Sequence, residues 1–189
     1  MATNFNIFFP TLVWSCISSL DNDKLLKECY KHKKNNPSGQ YSNKGGYQGQ
    51  NFNYKEFTKF IEYNIPKSKV HDGKFKHLEI YSWVNINGKG SWNACHSHFK
   101  QSTPILFSGV YYVKVPENSG EIGFHDPRSM MASRTLDEEY LNGIAAPVQF
   151  VMPNVGHCYY FPSWLEHEVR ENRSEEDRVS IAFNVCVEL

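Results

Sequence analysis

His96 and His98 stand two residues apart in SWNACHSHF. On an extended strand, residues two apart point to the same face, so both imidazoles would share one side. Two neutral imidazoles so placed can hold one borderline divalent metal ion. An isolated His-x-His is a weak signal, and its weight comes from what lies downstream. His167 follows the run FPSWLE, and beyond a polar turn, Glu171–Asp177, comes Arg178. A strand from about His167, a turn and a return strand from Arg178 would form a hairpin. That hairpin would bring a guanidinium into the pocket of the histidine. The planar guanidinium fork clasps a carboxylate through two parallel hydrogen bonds. Ser180, two residues on, shares its strand face and can donate a hydroxyl to the same carboxylate. The plain alternative is that Arg178 pairs with its neighbours Asp177 or Glu176.

The strand that carries Arg178 is the most informative segment of the chain. Val179, Ile181, Phe183, Val185 and Val187 alternate onto one face, and Arg178, Ser180, Ala182, Asn184 and Cys186 onto the other. The second face is small and polar with a single charge, unlike a solvated face studded with Lys and Glu. It reads as the lining of a pocket for something hydrophilic and anionic.

The elements around this strand divide the chain in two. Asp21-Asn22-Asp23 is a start signal for a helix to Lys33, with Leu25, Leu26 and Cys29 at helical spacing. Asn35–Asn51, rich in Asn, Gly, Gln and Ser, reads as a long loop and a possible lid over a pocket mouth. A second helix, about Tyr54–Asn64, stripes Phe57, Phe60 and Ile61, and Pro66 ends it. From Phe75 onward strand signals take over: Phe75–Asn87, Ile105–Val115, Glu121–Phe124, Val148–Met152, Cys158–Phe161 and Arg178–Val187. Many short strands behind two helices predict a mainly β sandwich or barrel, 75–189, braced by a helical segment, 1–74, in a single domain. Gly109, inside a strand, suggests a bulge or a close backbone approach.

Composition narrows the class. At 189 residues with 40% apolar and 15% aromatic side chains, the chain can bury a sizeable core. Twenty basic and twenty acidic residues cancel, so no global field would recruit nucleic acid. Five scattered cysteines without a CxxC pair suit reduced thiols better than a disulfide framework. The apolar stretch Ile7–Trp14 is short, broken by Pro10 and lacks a basic lead, so neither a signal peptide nor a membrane span is expected. The expected setting is cytoplasmic.

The order of motifs resembles a known family. His-x-His, then SGVYYVKVPENSGEIGFHDPR, then FPSWLEHEV, then DRVSIAFNV is similar to the 2-oxoglutarate and Fe(II)-dependent oxygenase superfamily. The likeness is greatest to a branch with SGVYYV, FPSWLxH and RxSxxFN blocks, and covers about Tyr81–Leu189. The resemblance implies a double-stranded β-helix (jelly-roll, cupin-like) and an enzyme that couples oxidation of a substrate to decarboxylation of 2-oxoglutarate to succinate. It implies His96 as first iron ligand, His167 as distal ligand, and Arg178 with Ser180 on the far carboxylate of 2-oxoglutarate.

His98 departs from the pattern, because the superfamily usually has a carboxylate there. Either His98 is the third ligand, giving a three-histidine site, or Asp126 or His125 on a neighbouring strand supplies it. The position and strand parity favour His98, and Asp126-Pro127-Arg128 reads as a turn salt-bridged to its own Arg. One of Tyr111 and Tyr112, on opposite faces of their strand, is expected to reach 2-oxoglutarate; Tyr112 is the candidate. Trp92 and Trp164 flank the proposed ligands and are candidates for a substrate wall. His32, His71, His77 and His157 are read as surface or packing residues. The prime substrate is not legible, since its contacts would come from variable loops such as Asn35–Asn51 and Ser129–Asn142. Two rival readings are a cupin-like metalloenzyme that does not use 2-oxoglutarate and a non-enzymatic small-ligand barrel. Arg178 with Ser180 speaks against the first, and the set of three ligands against the second.

Overall fold

The structure, a computed structural model, describes residues 10–66, 78–99, 105–128 and 146–187. Two antiparallel sheets face each other in a jelly-roll arrangement, and two helices cover the outer face of one of them. The larger sheet contains β1 (Trp14–Ile17), β3 (Tyr47–Gly49), β4 (Leu78–Asn87), β6 (Ile105–Lys114), β9 (His157–Pro162) and β11 (Arg178–Val187). Their order is β1-β9-β6-β11-β4-β3. The smaller sheet contains β2 (Asn43–Lys44), β5 (Trp92–His96), β7 (Ile122–His125), β8 (Val148–Val151) and β10 (His167–Val169), ordered β2-β5-β10-β7-β8.

The alternation of β11 sets the layering. Val179, Ile181, Phe183 and Val185 are fully buried against the helices, while Arg178, Ser180 and Ala182 turn into the space between the sheets. The larger sheet is therefore apolar on one side and holds a pocket on the other. Helix α1 (Asn22–Asn35) starts where Asp21 accepts a hydrogen bond from Lys24 N, a side-chain cap that satisfies one of the unpaired amides of the first turn. It is fastened to β6 by the Tyr111 hydroxyl, which donates to Asn22 Oδ1 at 2.7 Å. Helix α2 (Lys55–Asn64) buries Phe57 and Ile61 completely, each worth about 1.5–3 kcal/mol of transfer. The Phe57 ring meets Tyr111 and Phe183 edge-on.

Gly109 marks a close approach rather than a bulge. It pairs in register with Phe183 and Tyr160. A Cβ there would lie 2.2 Å from the Phe183 ring and 2.5 Å from the Tyr159 carbonyl. Only glycine lets β6 pass between these neighbours.

The segment expected as one long loop, Asn35–Asn51, instead carries β2 and β3. β2 pairs with β5 and β3 with β4, so this stretch joins the edges of both sheets. Asn43 organises it by accepting from Tyr41 N and donating to the Gly39 and Gly46 carbonyls. Polar composition concealed the strands because their partners are distant in sequence. The short edge strand β1 had no expectation at all. Phe75–His77, the start of the first expected strand, and all of Ser129–Asn142 lie outside the described residues.

Candidate active site

Three histidines converge between the sheets. β5 and β10 pair so that His96 faces His167 and Asn93 faces Val169, with a register shift between. Three steps on β5 thus match two on β10, as in a β-bulge, which lets Asn93 and His96 both turn inward despite their opposite parity. His98 is not on the strand with His96, as expected, but just past its end. It is held there by its backbone N–H, which donates to the Ser163 carbonyl at 2.8 Å.

The ring centroids of His96 and His167 are 4.3 Å apart, and His98 stands 5.1 Å from each. One ring nitrogen from each of the three lies within 4.8 Å of the others. Nitrogens about 2.1 Å from a shared ion stand at most about 4.2 Å apart, so small rotations complete the site. Each Nδ1 has an acceptor: Ala94 O at 2.7 Å for His96, Leu165 O at 3.0 Å for His167, Asn184 Oδ1 at 2.7 Å for His98. A ring that donates Nδ1–H to a carbonyl keeps its lone pair on Nε2, the form that binds metal. Burial, then the neighbouring His96 and His98, lowers the pKa of His167 to about 3, and burial lowers that of His96. Neutral, oriented imidazoles in a buried cluster fit a divalent transition metal.

Arg178 lies in the same pocket, but not by the expected hairpin. β10 belongs to the smaller sheet and β11 to the larger, so His167 and Arg178 meet across the sandwich. Arg178 is 2% exposed, and its Nη1 donates to the carbonyls of Ser119 and Gly120 at 2.8 and 3.2 Å. The neighbouring acids are engaged elsewhere: Glu176 with Lys114 at 2.8 Å, Asp177 with the Tyr30 hydroxyl at 2.8 Å. Among the described residues, then, the guanidinium has no carboxylate partner. Burial holds its pKa below the usual guanidinium value. Ser180 lines the pocket beside it.

Four buried side-chain atoms lack hydrogen-bond partners among the described residues: Gln48 Oε1, Asn85 Oδ1, the Tyr112 hydroxyl and Ser119 Oγ. Gln48, Asn85 and Tyr112 all line this pocket. Buried polar groups are normally satisfied, so a cluster of orphans marks a place where a ligand supplies the partners. Tyr112 points inward while Tyr111 packs under the helices, and burial raises the Tyr112 pKa so that its proton stays available for donation. Neither Gln48 nor Asn85 was legible from sequence, because each needs the long-range pairing of β3 with β4 to be placed.

A wider cavity of about 410 Å³ opens on the other side of the histidines, lined by Tyr41, Gln48, Gln50, Trp83, Cys95 and Asn184 among others. Trp83 borders both spaces and its ring lies 5.5 Å from that of His98. The expected wall residues Trp92 and Trp164 are 43% and 46% exposed and border neither cavity; Trp83 takes that place. Asp126 is bound to Arg128, with Nε donating to Oδ1 at 2.8 Å, and stands outside the histidine cluster. His125 contacts Glu168, His157 contacts the Tyr159 hydroxyl and His32 the Gln50 carbonyl. His71 and His77 lie outside the described residues.

Residues 81–184 match the family described as "Putative 2OG-Fe(II) oxygenase". The chain belongs to that family: it is a non-haem oxygenase dependent on Fe(II) and 2-oxoglutarate. No curated protein matches the sequence. Among solved structures, a Pseudomonas putida prolyl-4-hydroxylase is similar over 94% of both chains, with a TM-score of 0.63 and 16% identity. A viral collagen prolyl hydroxylase from Paramecium Bursaria Chlorella virus-1, solved with 2-oxoglutarate, is similar over 93% of this chain and 96% of that one, with a TM-score of 0.56 and 12% identity. HygX from Streptomyces hygroscopicus, solved with nickel and 2-oxoglutarate, is similar over 93% and 83%, with a TM-score of 0.60 and 11% identity. At such identities the likeness is one of fold. Among the described residues no helix is long and apolar enough to cross a membrane.

Proposed function

We propose that His96, His98 and His167 hold the Fe(II), that Arg178 clasps the far carboxylate of 2-oxoglutarate, and that Ser180 and Tyr112 donate hydroxyls to it. The observation that carries this reading is one pocket, without an acid among its described lining residues, that holds three clustered histidines and a buried cation with no carboxylate partner among the described residues. When bound, the iron supplies the oxidation of a substrate C–H bond by O2, coupled to decarboxylation of 2-oxoglutarate to succinate. The protein's own share is to fix the tautomers of the imidazoles, to orient the cosubstrate through Arg178 and to exclude water with Phe161, Val110 and Ile122. Its prime substrate enters by the wider cavity bordered by Trp83, Gln48 and Tyr41. Fully unpaired thiols support a reducing, cytoplasmic setting.

The test is an anaerobic Fe(II) titration with and without 2-oxoglutarate, watched for the visible charge-transfer band of the chelate. A band that requires both, and that His167→Ala abolishes, supports the assignment. Metal binding without any affinity for 2-oxoglutarate would refute the clamp and favour a cupin-like metalloenzyme.

A further inference from the structure

Far from the iron ligands in sequence register, Cys16 on β1 and Cys158 on β9 face each other directly across an antiparallel ladder. Two residues along, Ser18 N–H donates to the Gly156 carbonyl at 2.9 Å. That places the cysteines at a hydrogen-bonded position, where facing Cα atoms are about 5.5 Å apart. A disulfide spans roughly 4.4–6.8 Å between Cα atoms and about 3.5–4.5 Å between Cβ atoms, so the Cα spacing fits while the Cβ atoms, about 5.5 Å apart at such a position, must close by about 1 Å. The two side chains lie on the helix-covered side of the sheet, Cys158 in the core and Cys16 packed against it from the partly exposed edge. Their facing register places the Cys158 thiol to hydrogen-bond the Cys16 sulfur. β1 is the outermost strand, with one neighbour only, so it can yield the small closing movement that a bond between the sulfurs requires.

We propose that Cys16 and Cys158 form a two-electron redox site for hydroperoxides, with Cys16 as attacking thiolate and Cys158 as resolving thiol. The Cys16 sulfur attacks the O–O bond, which breaks; Cys16 becomes a sulfenic acid and the other oxygen leaves as water or an alcohol, taking a proton. Cys158 then attacks the sulfenic sulfur, the S–O bond breaks and water leaves with the Cys158 proton. Two thiols and one hydroperoxide give one disulfide, one alcohol or water, and one water; the sulfurs lose two electrons and the peroxide gains them.

The surroundings divide the roles. The hydrogen bond from Cys158 outweighs burial and lowers the Cys16 pKa to about 7, while burial first, then Cys16, holds the Cys158 thiol well above the usual range. The lowered pKa favours the thiolate of Cys16, the reactive form. The other cysteines are less ready: burial pushes Cys29 up to about 12 and also raises Cys95 and Cys186. Strained, edge-strand disulfides are the reducible ones, so the bond would be reversible in a reducing compartment.

The experiment treats the full-length protein at pH 7 with one equivalent of hydrogen peroxide, a chelator present so that iron generates no radicals. Intact mass and non-reducing peptide mapping should show loss of about 2 Da in a linked Cys16–Cys158 pair, reversed by a thiol reductant. Before oxidation, iodoacetamide should label Cys16 about tenfold faster than the exposed Cys95. In Cys158→Ser, Cys16 should stop at the sulfenic acid and be trapped by dimedone; Cys158→Ala serves where the serine variant folds poorly. Preferential oxidation of Cys95, or free Cys16 and Cys158 after peroxide treatment of the wild type, would overturn the proposal. The labelling comparison requires no variant and none of the iron chemistry, so it stands apart from the oxygenase reading.

Discussion

Replacing Arg178 by methionine, which keeps an unbranched apolar stem and removes the charge, separates ligand binding from stability. In the proposed complex the guanidinium is the buried partner of a carboxylate. Removing one partner of a buried, hydrogen-bonded charge pair costs about 2–5 kcal/mol. The affinity for 2-oxoglutarate should therefore fall by roughly 30-fold to several thousand-fold. Without ligand the account runs differently. A cation that is 2% exposed, held by two backbone carbonyls and by no carboxylate among the described residues, carries an uncompensated desolvation cost. Exchanging buried charge for apolar volume is often neutral or stabilising by about 1–4 kcal/mol. Against that, the Ser119 and Gly120 carbonyls lose a donor, at a cost of about 1–3 kcal/mol. The two nearly cancel, so the melting temperature of the ligand-free protein should move by only a few degrees.

The assay is calorimetry of 2-oxoglutarate on the Mn(II)-loaded protein, paired with thermal melts with and without ligand. Arg178→Lys should recover part of the affinity, since an ammonium offers a point charge and not a fork. Unchanged 2-oxoglutarate affinity in a folded Arg178→Met would show that the clamp is elsewhere. An equal loss of Mn(II) affinity would show that Arg178 holds the site together and does not recognise the ligand.

Tyr112→Phe should weaken 2-oxoglutarate by about 1 kcal/mol, roughly fivefold, while raising the melting temperature of the ligand-free protein, because it deletes a buried hydroxyl without a partner. Asn184→Ala removes the acceptor that orients His98, and calorimetry should find metal affinity lower by about 10–100-fold with 2-oxoglutarate contacts intact. The metal-free protein should lose stability as pH falls below about 6.5, where the unfolded chain protonates a histidine that the native site keeps neutral down to about 3. The slope attributable to His167 is roughly 1.4 kcal/mol per pH unit over that window and zero above it; urea melts of wild type and His167→Gln measure the difference.

The sequence was most legible where one strand carried its own answer. Strict alternation in β11 separates core from pocket without knowledge of any partner strand, and its bounds agree with those expected, Arg178–Val187. Gly109 left a bulge or a close approach open, and the Phe183 ring and the Tyr159 carbonyl beside it decide for the close approach. What stayed hidden depends on pairing between distant segments. The facing of His167 and Arg178 across two sheets looked like a hairpin because only a turn separates them in sequence. The bulge that turns His96 inward lies in the match of β5 to β10 and in no property of Trp92–His96 itself. Gln48 and Asn85 became site residues only once β3 lay beside β4. Trp92 and Trp164 were chosen for nearness in sequence to the ligands, but Trp92 takes the outward face of β5 and Trp164 lies in the turn between β9 and β10, and both are exposed.

The departure at His98 is consistent with the charge of the whole pocket. Neither cavity beside the histidines has an aspartate or glutamate among its described lining residues. Three neutral imidazoles leave a divalent ion at its full charge, and Arg178 adds another, all in a space from which water is largely excluded. A carboxylate at position 98 would have offset part of that charge from within. Without it, the compensation must come from the ligand, and a dicarboxylate with one end at the metal and one at the guanidinium provides it. On the proposed assignment the same reasoning accounts for Arg178 having only backbone carbonyls as hydrogen-bond partners among the described residues: an acid beside it would compete with the cosubstrate. It also yields a second prediction, made at the metal end of the pocket. His98→Asp keeps a ligand atom at the site but adds a negative charge, and should bind the divalent ion at least as well. Its affinity for 2-oxoglutarate should fall, because the added charge opposes the dianion. Calorimetry of both ligands on His98→Asp decides the matter: stronger 2-oxoglutarate binding than in the wild type would refute the charge argument, even if the three histidines prove to be the ligands.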